Sequence, residues 1–219
     1  MNIPRPTAAI ILAAGSSSRM GGGRHKLLLP LGDRPVVAHV LDATLASLAR
    51  PIILVLGHQA SEVRAQLATY LTHPDIILVE NPDYLQGMST SMHVGLQVLM
   101  KGNTRVFSSP TPGSALIMLG DQPLITPTII DMLIKTHIAT QKRIVAPLYE
   151  GKRGNPILFD ESLFPELLEV TGDEGGRSVV QRHSQEVATV DLGEAMASYD
   201  VDTWEAYQQV MQVWKDKTS

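Results

Sequence analysis

Four short apolar runs, each leading into a stretch of helical spacing, constrain this chain more than any other feature. Thr7–Ala13 (TAAIILA) is continuously apolar, the pattern of a strand buried on both faces. Residues 35–48 place Val36, Val37, Val40, Leu41, Leu45 and Leu48 on one helical face. After Pro51, Ile52–Leu56 predicts a second buried strand, 61–71 a helix and 76–79 a third strand. Residues 81–89 form a polar loop, 90–100 a helix, and 101–113 a linker rich in Gly, Ser and Pro. Residues 115–119 predict a fourth strand, and Pro127–Thr140 a helix with Pro in its first turn. Such alternation folds as α/β, a doubly wound, mostly parallel sheet with helices on both faces.

From about residue 141 the pattern loosens. Short strands are expected over 144–147 and 156–159, a short helix over 164–170 and a Gly-rich turn at 172–177. A strand over 187–192 and a closing helix over 203–215 complete the chain. This part predicts a small C-terminal antiparallel extension, within one domain spanning 1–219.

Several classes of function fall away on composition. The net charge of −4 and the 5% of aromatic residues argue against a nucleic-acid partner. The absence of cysteine removes disulfides, thiolate zinc sites and cysteine nucleophiles. Arg5 and the apolar residues 8–14 faintly resemble an export signal. That run is very short and leads straight into a polar loop, so it reads as a first strand. No apolar run reaches membrane-spanning length, and the expectation is a cytoplasmic protein with no membrane partner. The seven histidines lack metal-ligand spacing, and Ser89 and Ser91 form no nucleophile elbow. His25 and His58 sit in candidate phosphate-side loops, where a generic polar role is expected.

Three motifs carry chemistry. The first is LAAGSSSRMG, residues 12–21, continued by GGRHKLLLP to Pro30. Open α/β sheets bind ligands at the carboxyl ends of their strands, where a Gly/Ser loop offers backbone N–H groups to phosphate oxygens. Arg19 and Lys26 add positive charge. The segment is neither a Walker P-loop nor a G-x-G-x-x-G fingerprint; a plain surface loop is the competing reading. The second motif is LGDQP, residues 119–123, which sets Asp121 directly after a buried strand. Mg²⁺ favours a few oxygen ligands together with substrate phosphates, and one further carboxylate would complete such a site. An ordinary Asp-containing turn is the alternative. The third is DVDT, residues 200–203, where alternation puts Asp200 and Asp202 on one face. Asp202 or Thr203 could equally be a helix N-cap.

Taken in order, LAAGSSSRMG, KLLLPLGDRPVV, NPDYLQGMSTS, LGDQP, RGNPILF, TGDEGGRS and DVDT resemble the MobA-like nucleotidyltransferases. The similarity is greatest to the molybdenum cofactor cytidylyltransferase branch. It implies a Rossmann-like, GT-A-like nucleotidyltransferase fold, with nucleotide bound by residues of about 7–140 and acceptor by about 141–202. By this resemblance Ala13, Ala14, Gly15, Ser16, Arg19 and Lys26 wrap the triphosphate. Gly87 and Ser89 meet the base and ribose. Asp121 and Asp202 hold Mg²⁺, and Asn155 and Arg177 meet the acceptor. Arg19, Lys26 and Asp121 are the implied catalytic residues. The Ala13-Ala14-Gly15 start resembles enzymes that use CTP.

One departure stands out: four residues separate Gly21 from Lys26, more than the family places there. Arg24 thereby becomes a candidate helper, and residues 16–25 are expected to form a mobile lid that orders around a triphosphate. The resemblance implies transfer of CMP from CTP to molybdopterin-type molybdenum cofactor, with a molybdenum hydroxylase as the eventual recipient. The alternatives are guanylyl or other nucleotidyl transfer to another phosphorylated acceptor, and a non-catalytic carrier of the cofactor.

Overall fold

A computed structural model describes residues 5–20, 25–101, 111–193 and 195–218. Arg24 and most of the 101–113 linker lie outside the described residues. In chain order the elements begin with β1 (Thr7–Ala13), a hairpin of β2 (Pro30–Leu31) and β3 (Arg34–Pro35), α1 (Val36–Leu45), β4 (Ile52–Leu56) and α2 (Ala60–Gln66). There follow β5 (Ile76–Glu80), α3 (Met88–Met100), β6 (Ser114–Leu119), α4 (Pro127–Thr140), β7 (Ile144–Tyr149) and β8 (Lys152–Arg153). The chain then forms β9 (Ile157–Asp160), α5 (Phe164–Leu167), α6 (Arg177–Arg182), β10 (Val187–Asp191) and α7 (Trp204–Thr218).

One sheet runs β5-β4-β1-β6-β9-β7-β10, with β8 on the side of β7. Strands β5, β4, β1 and β6 are parallel, in register from Ile52↔Ile76 to Thr7↔Ser114. The antiparallel component enters the sheet itself: β9 runs against both β6 and β7, while β10 lies parallel to β7.

Alternation along β1 divides the core. Ala9, Ile11 and Ala13 face α1, α2 and α4, while Ala8, Ile10 and Leu12 face α3, α5 and α6. Because both faces are covered, the central strands read as unbroken apolar runs in the sequence.

Helix ends follow local chemistry. Thr126 accepts the Ile129 N–H at 3.3 Å and caps α4, as its Thr-Pro start suggests. Helix α1 stops at Leu45 and not at residue 48, because the Arg50 guanidinium takes up the carbonyls of Thr44, Leu45 and Ser47. Helix α2 stops at Gln66, short of residue 71, and α6 occupies a stretch read as turn and connection.

A third cluster joins α7 to the β2–β3 hairpin through Leu31, Val36, Leu124, Val201, Tyr207 and Val210. The Tyr207 hydroxyl donates to the Pro30 carbonyl. The His39 Nε2–H donates to the Leu31 carbonyl at 2.7 Å, and its ring meets Trp214 edge-on at 4.3 Å. Among the described residues no helix is long and apolar enough to cross a membrane.

Candidate active site

A cavity of about 570 Å³ opens at the carboxyl ends of β1 and β6. Its charged end is built from three distant segments. Lys26 lies in a single 3-10 turn, Lys26–Leu28, before the hairpin; Asp121 follows β6, and Asp202 precedes α7. The Lys26 ammonium donates to Asp121 Oδ2 and, at 2.7 Å, to Asp202 Oδ1. Arg19 pairs with the other Asp202 oxygen at 3.0 Å. Burial opposes the charge on Lys26, but Asp121 and then Asp202 outweigh it, so its pKa stands above the ordinary lysine value.

The segment carrying Asp202 is fastened to the one carrying Asp121. The Val201 N–H donates to the Asp121 carbonyl at 2.9 Å. Gln122, which is buried, donates from Nε2 to Asp200 Oδ1 at 2.6 Å. Burial, with repulsion from Asp121 and Asp202, pushes the Asp200 carboxyl up to about 6, against the Gln122 hydrogen bond. Thr203 accepts the Ala206 N–H at 3.2 Å and is the cap of α7. Capping therefore falls to Thr203 and leaves the Asp202 carboxylate to Lys26 and Arg19.

Two carboxylates that converge on one ammonium can converge on one metal cation. Both offer hard oxygen donors, which suits Mg²⁺ or Mn²⁺. Among the described residues no group of three or more His, Asp or Glu side chains could hold a metal. A cation held by these two carboxylates would need further ligands from substrate oxygens or water, as Mg²⁺ commonly takes.

The first loop divides by role. Gly15, Ser16, Arg19 and Lys26 line the cavity, together with Ser17, whose hydroxyl accepts the Lys26 N–H at 3.1 Å. Ala13 and Ala14 do not line it; they are 1% and 3% exposed, in the core. Ala14 packs against Gly57, where a Cβ would come within 2.7 Å of the Ala14 methyl. The two alanines thus allow close packing beneath the loop.

The second loop is pinned by buried Asn81, which donates to Thr90 Oγ1 at 2.8 Å and Ser91 Oγ at 2.9 Å. Gly87 lines the cavity with φ +113°, and a Cβ there would lie 2.5 Å from the Gly172 carbonyl carbon. Ser89 does not reach the cavity: its side chain is 1% exposed, and its N–H is spent on the Gly172 carbonyl at 3.0 Å. Ser91, two residues further on in α3, lines the cavity in its place. Asp173 Oδ1 accepts the Met88 N–H at 2.9 Å, which starts α3 at residue 88, before the expected residue 90.

Asn155 and Arg177 also line the cavity, Arg177 as the exposed first residue of α6. Asn155 is held through its carbonyl, which accepts the Tyr149 hydroxyl at 3.0 Å. Apolar lining comes from Leu119 and Ile117 of β6 and from Ile157 and Phe159 of β9. Antiparallel β9 therefore supplies a surface that a wholly parallel sheet would not. Asp173 and Glu174, within the 172–177 segment that the resemblance sets on the acceptor side, also line the cavity. Asp200 lines it too and was not assigned to the site from sequence, though it was visible there as the face partner of Asp202.

Comparison with known proteins shows what the whole chain resembles. A profile of the MobA-like NTP transferase domain matches residues 9–187. The bifunctional protein GlmU of Kineococcus radiotolerans is 33% identical over 134 residues, covering 61% of this chain and 25% of that one. The match therefore spans about a quarter of that relative. The crystal structure of Rv0371c from Mycobacterium tuberculosis superposes with a TM-score of 0.78 at 29% identity, covering 97% of this chain and 100% of that chain. Its complex with manganese gives a TM-score of 0.74 at 28% identity, covering 94% and 98%. The chain belongs to the MobA-like NTP transferase family.

Proposed function

We propose that the protein transfers CMP from CTP to molybdopterin-type molybdenum cofactor and releases pyrophosphate. The observation that carries this reading is the convergence of Arg19, Lys26, Asp121 and Asp202 in a cavity that Asn155 and Arg177 also line. The apolar side chains in the same lining favour a flat heterocyclic acceptor over a sugar, whose hydroxyls would be left unpaired against Ile117, Ile157 and Phe159.

A phosphate oxygen of the acceptor attacks the α-phosphorus of CTP, the α–β bridging bond breaks, and pyrophosphate leaves with the electron pair. Arg19 and Lys26 neutralise the charge that grows on the leaving group. Arg177 orients the acceptor's phosphate, and Gly87 brings backbone close to the base and ribose. A phosphate monoester is largely ionised at neutral pH, so no residue need act as general base. Asp121 and Asp202 would hold Mg²⁺, which when bound supplies charge neutralisation and Lewis-acid polarisation of phosphoryl oxygens. The manganese complex of Rv0371c supports a divalent cation of this kind.

A cytoplasmic location and hand-over to a molybdenum hydroxylase belong to the same reading. The test is direct: each nucleoside triphosphate is mixed with purified protein, Mg²⁺ and molybdenum cofactor, and the dinucleotide formed is identified. CTP-dependent pyrophosphate release with a cytosine dinucleotide product is expected. Equal use of GTP removes the cytidylyl assignment, and no release with any nucleotide removes transfer in favour of a carrier.

A further inference from the structure

Among the described residues two buried side-chain polar atoms lack a hydrogen-bond partner, and one is Nδ1 of His25. His25 is 7% exposed and immediately precedes Lys26. Its Nε2 lies 3.1 Å from the His58 carbonyl oxygen, so Nε2 carries the hydrogen and donates. Nδ1 is then the bare nitrogen of a neutral imidazole. The rings of His25 and His58 stack with centroids 5.6 Å apart and planes inclined by 17°. Burial, above all, holds the His25 pKa below its ordinary value.

His58 is itself a junction at the exit of β4. Its N–H donates to the Ala14 carbonyl at 3.1 Å, and its Nδ1 lies 3.4 Å from the Tyr84 hydroxyl. The first loop, the segment entering Lys26 and the second loop are thus tied to one residue. Neither His25 nor His58 lines the cavity.

This arrangement bears on the spacing noted in the sequence. The four residues that separate Gly21 from Lys26 end in His25, so whatever fixes His25 fixes the approach to the lysine. A fixed point directly before Lys26 sets its aim. His25 supplies that point: its side chain is held by His58, and its carbonyl accepts the Leu28 N–H at 2.9 Å, starting the turn that projects Lys26. We propose that His25 is a positioning residue for Lys26, anchoring the end of the first loop so that the backbone from which the lysine projects is already in place when a triphosphate binds. The proposal rests on the reading of Lys26 as a phosphate-side residue.

The test is a double-mutant cycle on binding of inorganic tripolyphosphate with Mg²⁺, followed by calorimetry, so that base preference and turnover do not enter. His25→Phe keeps a stacked ring and loses the donor; it should weaken binding about tenfold or more. His25→Gln keeps an amide donor for the His58 carbonyl and should stay within about threefold of wild type. In a Lys26→Ala background His25→Phe should change binding by less than about twofold, because the two residues act as one unit. Should the Phe variant fail to fold, His25→Asn, with an amide too short to span the gap, enters the same cycle. Binding like wild type in the Phe variant, or an equal loss in both backgrounds, overturns the positioning role. Absence of tripolyphosphate binding in wild type instead removes the phosphate-side reading beneath it.

Discussion

Lys26 and Asp202, 176 residues apart in sequence, meet at 2.7 Å, and the same ammonium bonds Asp121. An ammonium and a divalent cation cannot both occupy the point on which these two carboxylates converge. In Lys26→Met, Mn²⁺ binding without nucleotide should therefore tighten by about tenfold, read by paramagnetic titration of free Mn²⁺. Pyrophosphate release by the same variant should fall by about 10²–10³-fold, because the charge on the leaving group goes unanswered. Unchanged Mn²⁺ affinity would show that lysine and metal do not share these oxygens.

Asp202 and Thr203 are neighbours with separable duties. Thr203→Ala removes the α7 cap and should cost about 1 kcal/mol of stability in denaturant unfolding while most turnover is kept. Asp202→Asn keeps shape and cap and should abolish most turnover with little change in the unfolding midpoint. If both substitutions moved stability and neither moved turnover, Asp202 would be structural.

Gly87 combines a positive φ with close contact to Gly172. Gly87→Ala must strain its own backbone and push the 172–177 loop away from α3. A stability loss of about 1–3 kcal/mol is expected, accompanied by a raised KM for nucleotide. A KM like that of wild type would mean that the two loops move independently.

Acidification should expose His25. Its folded pKa lies below 6.5, so as pH falls through that value the unfolded chain takes up a proton that the folded chain refuses, and stability is lost. Asp200 works the other way: pushed up to about 6 from 3.8, it gains its proton first in the folded state and adds stability over the same fall. The clean quantity is the difference between wild type and His25→Gln at matched pH, where Asp200 cancels. Between about pH 7.5 and about pH 5 wild type should lose unfolding midpoint relative to the variant. Parallel curves would place His25 in contact with water.

The parallel half of the sheet could be read from sequence because burial on both faces writes itself as uninterrupted runs, TAAIILA and IILVL among them. Asp121 was legible for the same reason, since the end of such a run marks the sheet's carboxyl edge. What escaped depends on partners distant in sequence. Nothing near Asp173 announces that it caps α3 from 85 residues away. Six-residue α6 is too short for helical spacing to declare itself, and β9 shows no sign of slotting between β6 and β7. Ser89 does not line the cavity because two residues of helical rotation separate it from Ser91, the α3 serine that does.

The packing of α7 against the β2–β3 hairpin has a consequence for how the charged groups of the site are kept together. The hairpin directly follows Lys26, and the helix directly follows the segment bearing Asp202. One apolar seam therefore sets the spacing of an ammonium and a carboxylate that are 176 residues apart in sequence. A substitution that loosened the seam, with neither charged residue touched, would part the two groups as surely as removing one of them.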